Sequence, residues 1–153
     1  MIGGISLSDF WVNYYWENLN NANSKPKSDY NPIYNCIAFV ANIEDTKWWP
    51  IREDGFDWPV GFPLEETVEN FIYTFQGALG YELCESNSLE DGYEKLALYV
   101  KDNEPTHMAK QLVTGRWISK LGKFEDIEHD FAETLNGRAY GEARYFLKKK
   151  RSK

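Results

Sequence analysis

Cys36 opens the apolar run Ile37-Ala38-Phe39-Val40-Ala41, and His107 stands much further along in Thr106-His107-Met108-Ala109. Cysteine attacks a carbonyl as the thiolate, and an unperturbed pKa of about 8.5 leaves little thiolate at neutral pH. A helix N-terminus and a neighbouring imidazolium each lower that pKa. With Pro32-Ile33-Tyr34 as the lead-in to a helix, Cys36 meets the first condition. Pro105-Thr106 precedes a strand, which puts His107 at its mouth, where an imidazole base meets a bound substrate. Such a pair suits nucleophilic attack on an amide or thioester.

A third group should orient the imidazole. Asp126, in Glu125-Asp126-Ile127-Glu128-His129, is the carboxylate that follows most closely, and Ser119 is the other candidate. Hairpin register bears on the choice. A tight Thr114-Gly115 turn sets His107 opposite Gly122, whereas a three-residue loop shifts the register by one and puts Ser119 on the His107 face. An oxyanion would be met by the Cys36 backbone N–H together with Asn35 or Gln111. Cys84, between Glu82 and Glu85, is the poorer nucleophile and reads as structural. Cys36, Cys84, His107 and His129 match zinc in number but contain no short chelating pair, so no metal is expected. Without a glycine-rich phosphate loop or a dinucleotide fingerprint, no cofactor is expected either.

The elements that must position these residues follow from periodicity and punctuation. Ser8-Asp9 caps an expected first helix running through Leu19, and the Asn-, Ser-, Pro- and Lys-rich stretch from Asn18 to Pro32 reads as a loop. Residues 35–42 are apolar on all sides and predict a buried helix, with a buried strand as the alternative. From Asp45 to Pro63 the chain is irregular and carries Trp48, Trp49 and Trp58, so it should pack down and wall a cleft. Val68, Phe71, Ile72, Phe75 and Leu79 fall at helical spacing, with Gly80 suited to the C′ position. Then the period changes. Lys95 to Val100 predicts a strand, His107–Val113 and Arg116–Leu121 a hairpin, and Arg144–Leu147 a last strand.

Composition narrows the function classes. The net charge is −7, from 24 acidic and 17 basic side chains, so nucleic acid is not an expected partner of the main domain. The block Lys148-Lys149-Lys150-Arg151-Ser152-Lys153 reads as a basic flexible tail at 148–153, leaving a single domain over 1–147. No run reaches the ~18 apolar residues that span a bilayer, and the first residues lack the pattern of a signal peptide. Two cysteines do not make a disulfide framework, and a cytoplasmic location is expected. Six Trp, ten Tyr and nine Phe imply an aromatic core or an aromatic-lined cleft.

The chain resembles an uncharacterised bacterial family through Asn35-Cys36-Ile37-Ala38-Phe39, Trp48-Trp49, Thr106-His107-Met108-Ala109-Lys110-Gln111-Leu112, Gly115 to Gly122, Asp126-Ile127-Glu128-His129 and Tyr140-Gly141. That family is remotely similar to papain-like cysteine hydrolases, in which the nucleophilic Cys starts a helix and the His begins a strand. The resemblance implies an α+β fold, with N-terminal helices packed on an antiparallel sheet in the papain-like manner. It implies a hydrolase or acyltransferase in which Cys36 attacks, His107 moves the proton, and Asp126 or Ser119 holds the ring. Trp48 and Trp49 would roof the cleft over a peptide or small amide. Trp117-Ile118-Ser119-Lys120 lacks the Asn, Asp, Gln or His usual at the third position. The alternative is therefore the same fold without catalysis, a module that binds a protein partner.

Overall fold

The computed structural model describes residues 14–20, 22–27, 33–121 and 126–151. In chain order these form β1 (Ser24–Pro26), α1 (Cys36–Val40), β2 (Lys47–Trp48), β3 (Phe56–Asp57), α2 (Val68–Leu79) and β4 (Glu82–Cys84). They continue as β5 (Tyr93–Lys101), β6 (Glu104–Gln111), β7 (Trp117–Lys120), β8 (Asp126–His129), a 3-10 turn (Ala132–Leu135) and β9 (Glu142–Lys150). A seven-stranded sheet in the order β1-β8-β7-β6-β5-β9-β4 holds them together, and every pairing in it is antiparallel.

This corrects the expected α+β, papain-like arrangement of N-terminal helices packed on a sheet. The described residues are mostly antiparallel strand with two short helices. Helix α1 has only five residues, because Asn42 turns left-handed at φ 65° one residue after its cap. Residues 8–13 of the expected first helix lie outside the described residues. Helix α2 is strongly amphipathic and forms as expected. The Thr67 side chain accepts from the Asn70 N–H at its start, and Gly80 ends it at φ 80°.

The hairpin between β6 and β7 closes through a three-residue loop, Val113-Thr114-Gly115. The Leu112 N–H donates to the Arg116 carbonyl, and Gly115 holds φ 93°, the left-handed position this loop type requires. Strands β5 to β8 form a meander, but β9 does not continue it. Instead the chain crosses back over β7, β6 and β5, about 19 Å of sheet, before pairing β9 with the far side of β5. The crossing segment, residues 130–141, covers one face. Helices α1 and α2 and the tryptophan loop cover the other. Both faces of β5 are therefore sealed, and Lys95 to Val100 are buried without alternation. Strand β9 runs to Lys150, so Lys148, Lys149 and Lys150 belong to the sheet. Among the described residues, no helix is long and apolar enough to cross a membrane.

Candidate functional site

Register decides which side chains can meet. Tyr99 pairs with His107 and Leu98 with Met108 across β5 and β6. Gln111 pairs with Trp117 across β6 and β7, and Lys120 with Asp126 across β7 and β8. Side chains directly opposite share a face and successive ones alternate. Met108, Lys120 and Asp126 therefore project to the helical face. His107, Gln111, Ser119 and His129 project to the crossover face. The two core clusters follow the same division, Cys36 and Met108 in one and Tyr99 and Trp117 in the other.

Cys36 lies on the helical face, within a small polar cluster. Burial pushes its thiol up to about 11, against the opposing pull of backbone groups at Met108, Ile37 and Cys36 itself and of the Lys120 charge. The helix it opens is too short to add much dipole. Lys120 is fully buried with its ammonium 4.8 Å from the centre of the Tyr34 ring. Burial lowers its pKa while Asp126 and Cys36 oppose the shift. The Tyr34 hydroxyl donates to Asp126 Oδ2 at 3.4 Å, and burial followed by the Asp126 charge raises its pKa to about 12.

Asn35 is the cap of α1, and both ends of its amide are engaged. Oδ1 accepts from Ala38 N at 3.0 Å and from Trp48 N at 3.1 Å, while Nδ2 donates to the Trp48 carbonyl at 2.7 Å. It clamps the tryptophan loop to α1, and that clamp holds the amide in a structural role. Trp48 packs edge-on to Trp58, and Trp49 packs on Phe71 with its Nε1 donating to Glu66 Oε1 at 2.7 Å. The loop lies down on the helical-face core as expected.

On the opposite face His107 is fully buried, and neither ring nitrogen has a hydrogen-bond partner among the described residues. Its ring lies flat on Tyr140 at 4.0 Å, with Tyr99 edge-on at 5.1 Å. Desolvation, with a smaller push from His129, holds its pKa well below the ordinary value, so the ring is neutral. The sheet itself separates it from Cys36. Gln111 is spent elsewhere, with Nε2 donating to the Asn87 carbonyl at 3.1 Å and to the Gly115 carbonyl at 3.3 Å.

The structure thus divides the four expected catalytic residues two and two. Cys36 and Asp126 share the helical face, and His107 and Ser119 share the other. The three-residue loop is the cause of Ser119 facing His107's side. Yet Ser119 pairs with His129, not His107, its Oγ lying 2.9 Å from Nε2. The His129 Nδ1–H donates to the Phe131 carbonyl at 2.8 Å, which fixes the tautomer and leaves Nε2 to accept the Ser119 hydroxyl. In chemical type this is an oriented serine–histidine pair. Both residues are completely buried, so no substrate reaches them, and burial lowers the His129 pKa to about 4.

Sequence reasoning missed His129 as the partner of Ser119, and Lys120 as the charge beside Cys36. The pairing of Trp117 with His129 carries the first signal, since it sets Ser119 and His129 diagonally on one face. Among the described residues, no group of three or more His, Cys, Asp or Glu could hold a metal ion. No match is found among curated proteins or among solved structures. Residues 24–148 match the domain of unknown function DUF7689, and the chain belongs to that family.

Proposed function

We propose that this chain is a non-catalytic, protein-binding module. One observation carries the reading: Cys36 and His107 lie on opposite faces of the sheet, the first 8% exposed and the second 0%. A thiol pushed up to about 11 is protonated at neutral pH, and a neutral imidazole behind a sheet cannot deprotonate it. The remaining expected roles are filled by structural bonds, in Asn35, Gln111 and Ser119. The tryptophan loop packs inward, so a partner would meet other apolar side chains. Val113 is 70% exposed and Leu89 51%.

The test is intact-mass measurement of iodoacetamide labelling in the Cys84→Ser protein, native and denatured. The proposal expects Cys36 to stay unlabelled in native buffer at neutral pH and to label fully once unfolded. Rapid native labelling would return the chain to the enzyme class.

A further inference from the structure

Lys120 ends β7 and Asp126 begins β8, and the register sets them directly opposite each other. Side chains so paired point to the same face, with Cβ atoms about 4.5–5.5 Å apart, and the methylene stem of a lysine spans that gap. Both residues are buried, Lys120 at 0% exposure and Asp126 at 8%. Tyr34, itself buried, touches both. Its ring lies under the Lys120 ammonium at 4.8 Å, and its hydroxyl donates to Asp126 Oδ2 at 3.4 Å. Helix α1 packs on β7 over the same face.

A buried ammonium and a buried carboxylate both give up the water that stabilises their charges. Moving one proton from Nζ to the carboxylate makes both groups neutral. The amine nitrogen then bonds to Asp126 Cγ, a second Nζ proton passes to the carboxyl hydroxyl, and the C–O bond breaks to release water. One ammonium and one carboxylate thus become one amide and one water, without an oxidant, reductant or co-reactant. Burial favours the step by lowering the Lys120 pKa, against the opposing pull of Asp126 and Cys36. The Tyr34 hydroxyl keeps its proton, because burial and then the Asp126 charge raise its pKa to about 12. It therefore donates to an oxygen on which charge develops during the attack. Pairing on adjacent strands also makes the reaction intramolecular, where well-aligned groups reach effective molarities of about 10⁵–10⁸ M.

We propose that Lys120 and Asp126 condense into an intramolecular amide, a covalent tie between β7 and β8. The tie removes two charges from the helical-face core and holds the ends of the two strands together across the 121–125 connection. It is a single self-modification with no external substrate, so it goes beyond the binding-module reading and does not depend on it.

The experiment is intact-mass and tandem mass spectrometry of the full chain, purified natively and then denatured. The mass should fall below that of the sequence by one water. Trypsin should fail to cut after Lys120 and should release residues 117–123 joined to residues 124–138 through Lys120 and Asp126. The deficit should vanish in Lys120→Met and in Asp126→Ala. The wild-type peptides carry the test even where a variant fails to fold. A wild-type mass equal to that of the sequence would overturn the proposal. So would a deficit that persists in Lys120→Met, because a cyclic imide at Asp126 also loses one water and needs no lysine.

Discussion

The His107 imidazole lies parallel to the Tyr140 ring, 4.0 Å between centroids and 7° between planes, and this contact seats the crossing segment on the sheet. Thr106 Oγ1 bonds the Tyr140 carbonyl at 2.6 Å, and the Tyr99 hydroxyl bonds the Ala132 carbonyl, so neighbouring positions hold the same segment. The groups facing His107 are Tyr99 from β5, His129 from β8 and Tyr140 from the crossing, with Glu133 close to Tyr99. No carboxylate among the described residues compensates a proton on this ring.

Acid should therefore loosen the fold. Both histidines have folded pKa values below the unfolded value of about 6.5, His129 at about 4 and His107 well below its ordinary range. The unfolded chain takes up protons that the folded one refuses. Stability is fully present above about pH 6.5 and is lost as pH falls toward the folded values. Urea unfolding between pH 7 and 5 should show this, and His107→Phe should flatten the slope by about 1.4 kcal/mol per pH unit. At pH 7 the same variant should be neutral or slightly stabilising, because it removes two buried nitrogens that have no partner among the described residues.

Removing the Ser119 hydroxyl strands His129 Nε2 in the core. Ser119→Ala should cost about 1–3 kcal/mol in urea unfolding. A double-mutant cycle with His129→Phe should return a coupling energy, since the two side chains share one bond.

Gly141 begins the return into β9 at φ 76°, and a side chain there would run into the Val100 carbonyl backbone. Gly141→Ala should lower stability by roughly 2–4 kcal/mol, through steric conflict and an unfavourable backbone angle together. Thermal melting of the variant checks this, and a melting temperature equal to wild type would refute the seating of the crossing.

Asn35→Ala should lower stability by about 1–3 kcal/mol, because it removes the α1 cap and both bonds to Trp48 at once. Its tryptophan fluorescence should shift toward the exposed range as the loop loosens.

Several of these elements are legible in the order of amino acids alone. Helix α2 is one, because Thr67, the Val68-to-Leu79 spacing and Gly80 all state one period. Strands β5, β6 and β7 are legible from their apolar runs, and the three-residue loop is one of two registers that the sequence allows, whereas β8, in a stretch that reads as irregular, is not. Faces are not legible. Whether Cys36 meets Met108 or His107 depends on which side of the sheet α1 covers, a difference of one residue in β6. Neither local propensity nor hydrophobic period encodes that choice, since both faces of the sheet are buried. The position of β9 beside β5 is hidden for a related reason. The crossing segment has no period of its own, and Lys148 to Lys150 look like a solvated end until their alkyl stems are placed along a strand.

The most direct measurement of the central claim is the NMR titration of the His107 ring in wild type and in Cys36→Ser. The separation of the two residues predicts a ring that is neutral through the ordinary imidazole range, titrating well below it, and is unmoved by the substitution. A His107 pKa above about 6.5 that falls in Cys36→Ser would reveal a thiolate–imidazolium pair and contradict the account.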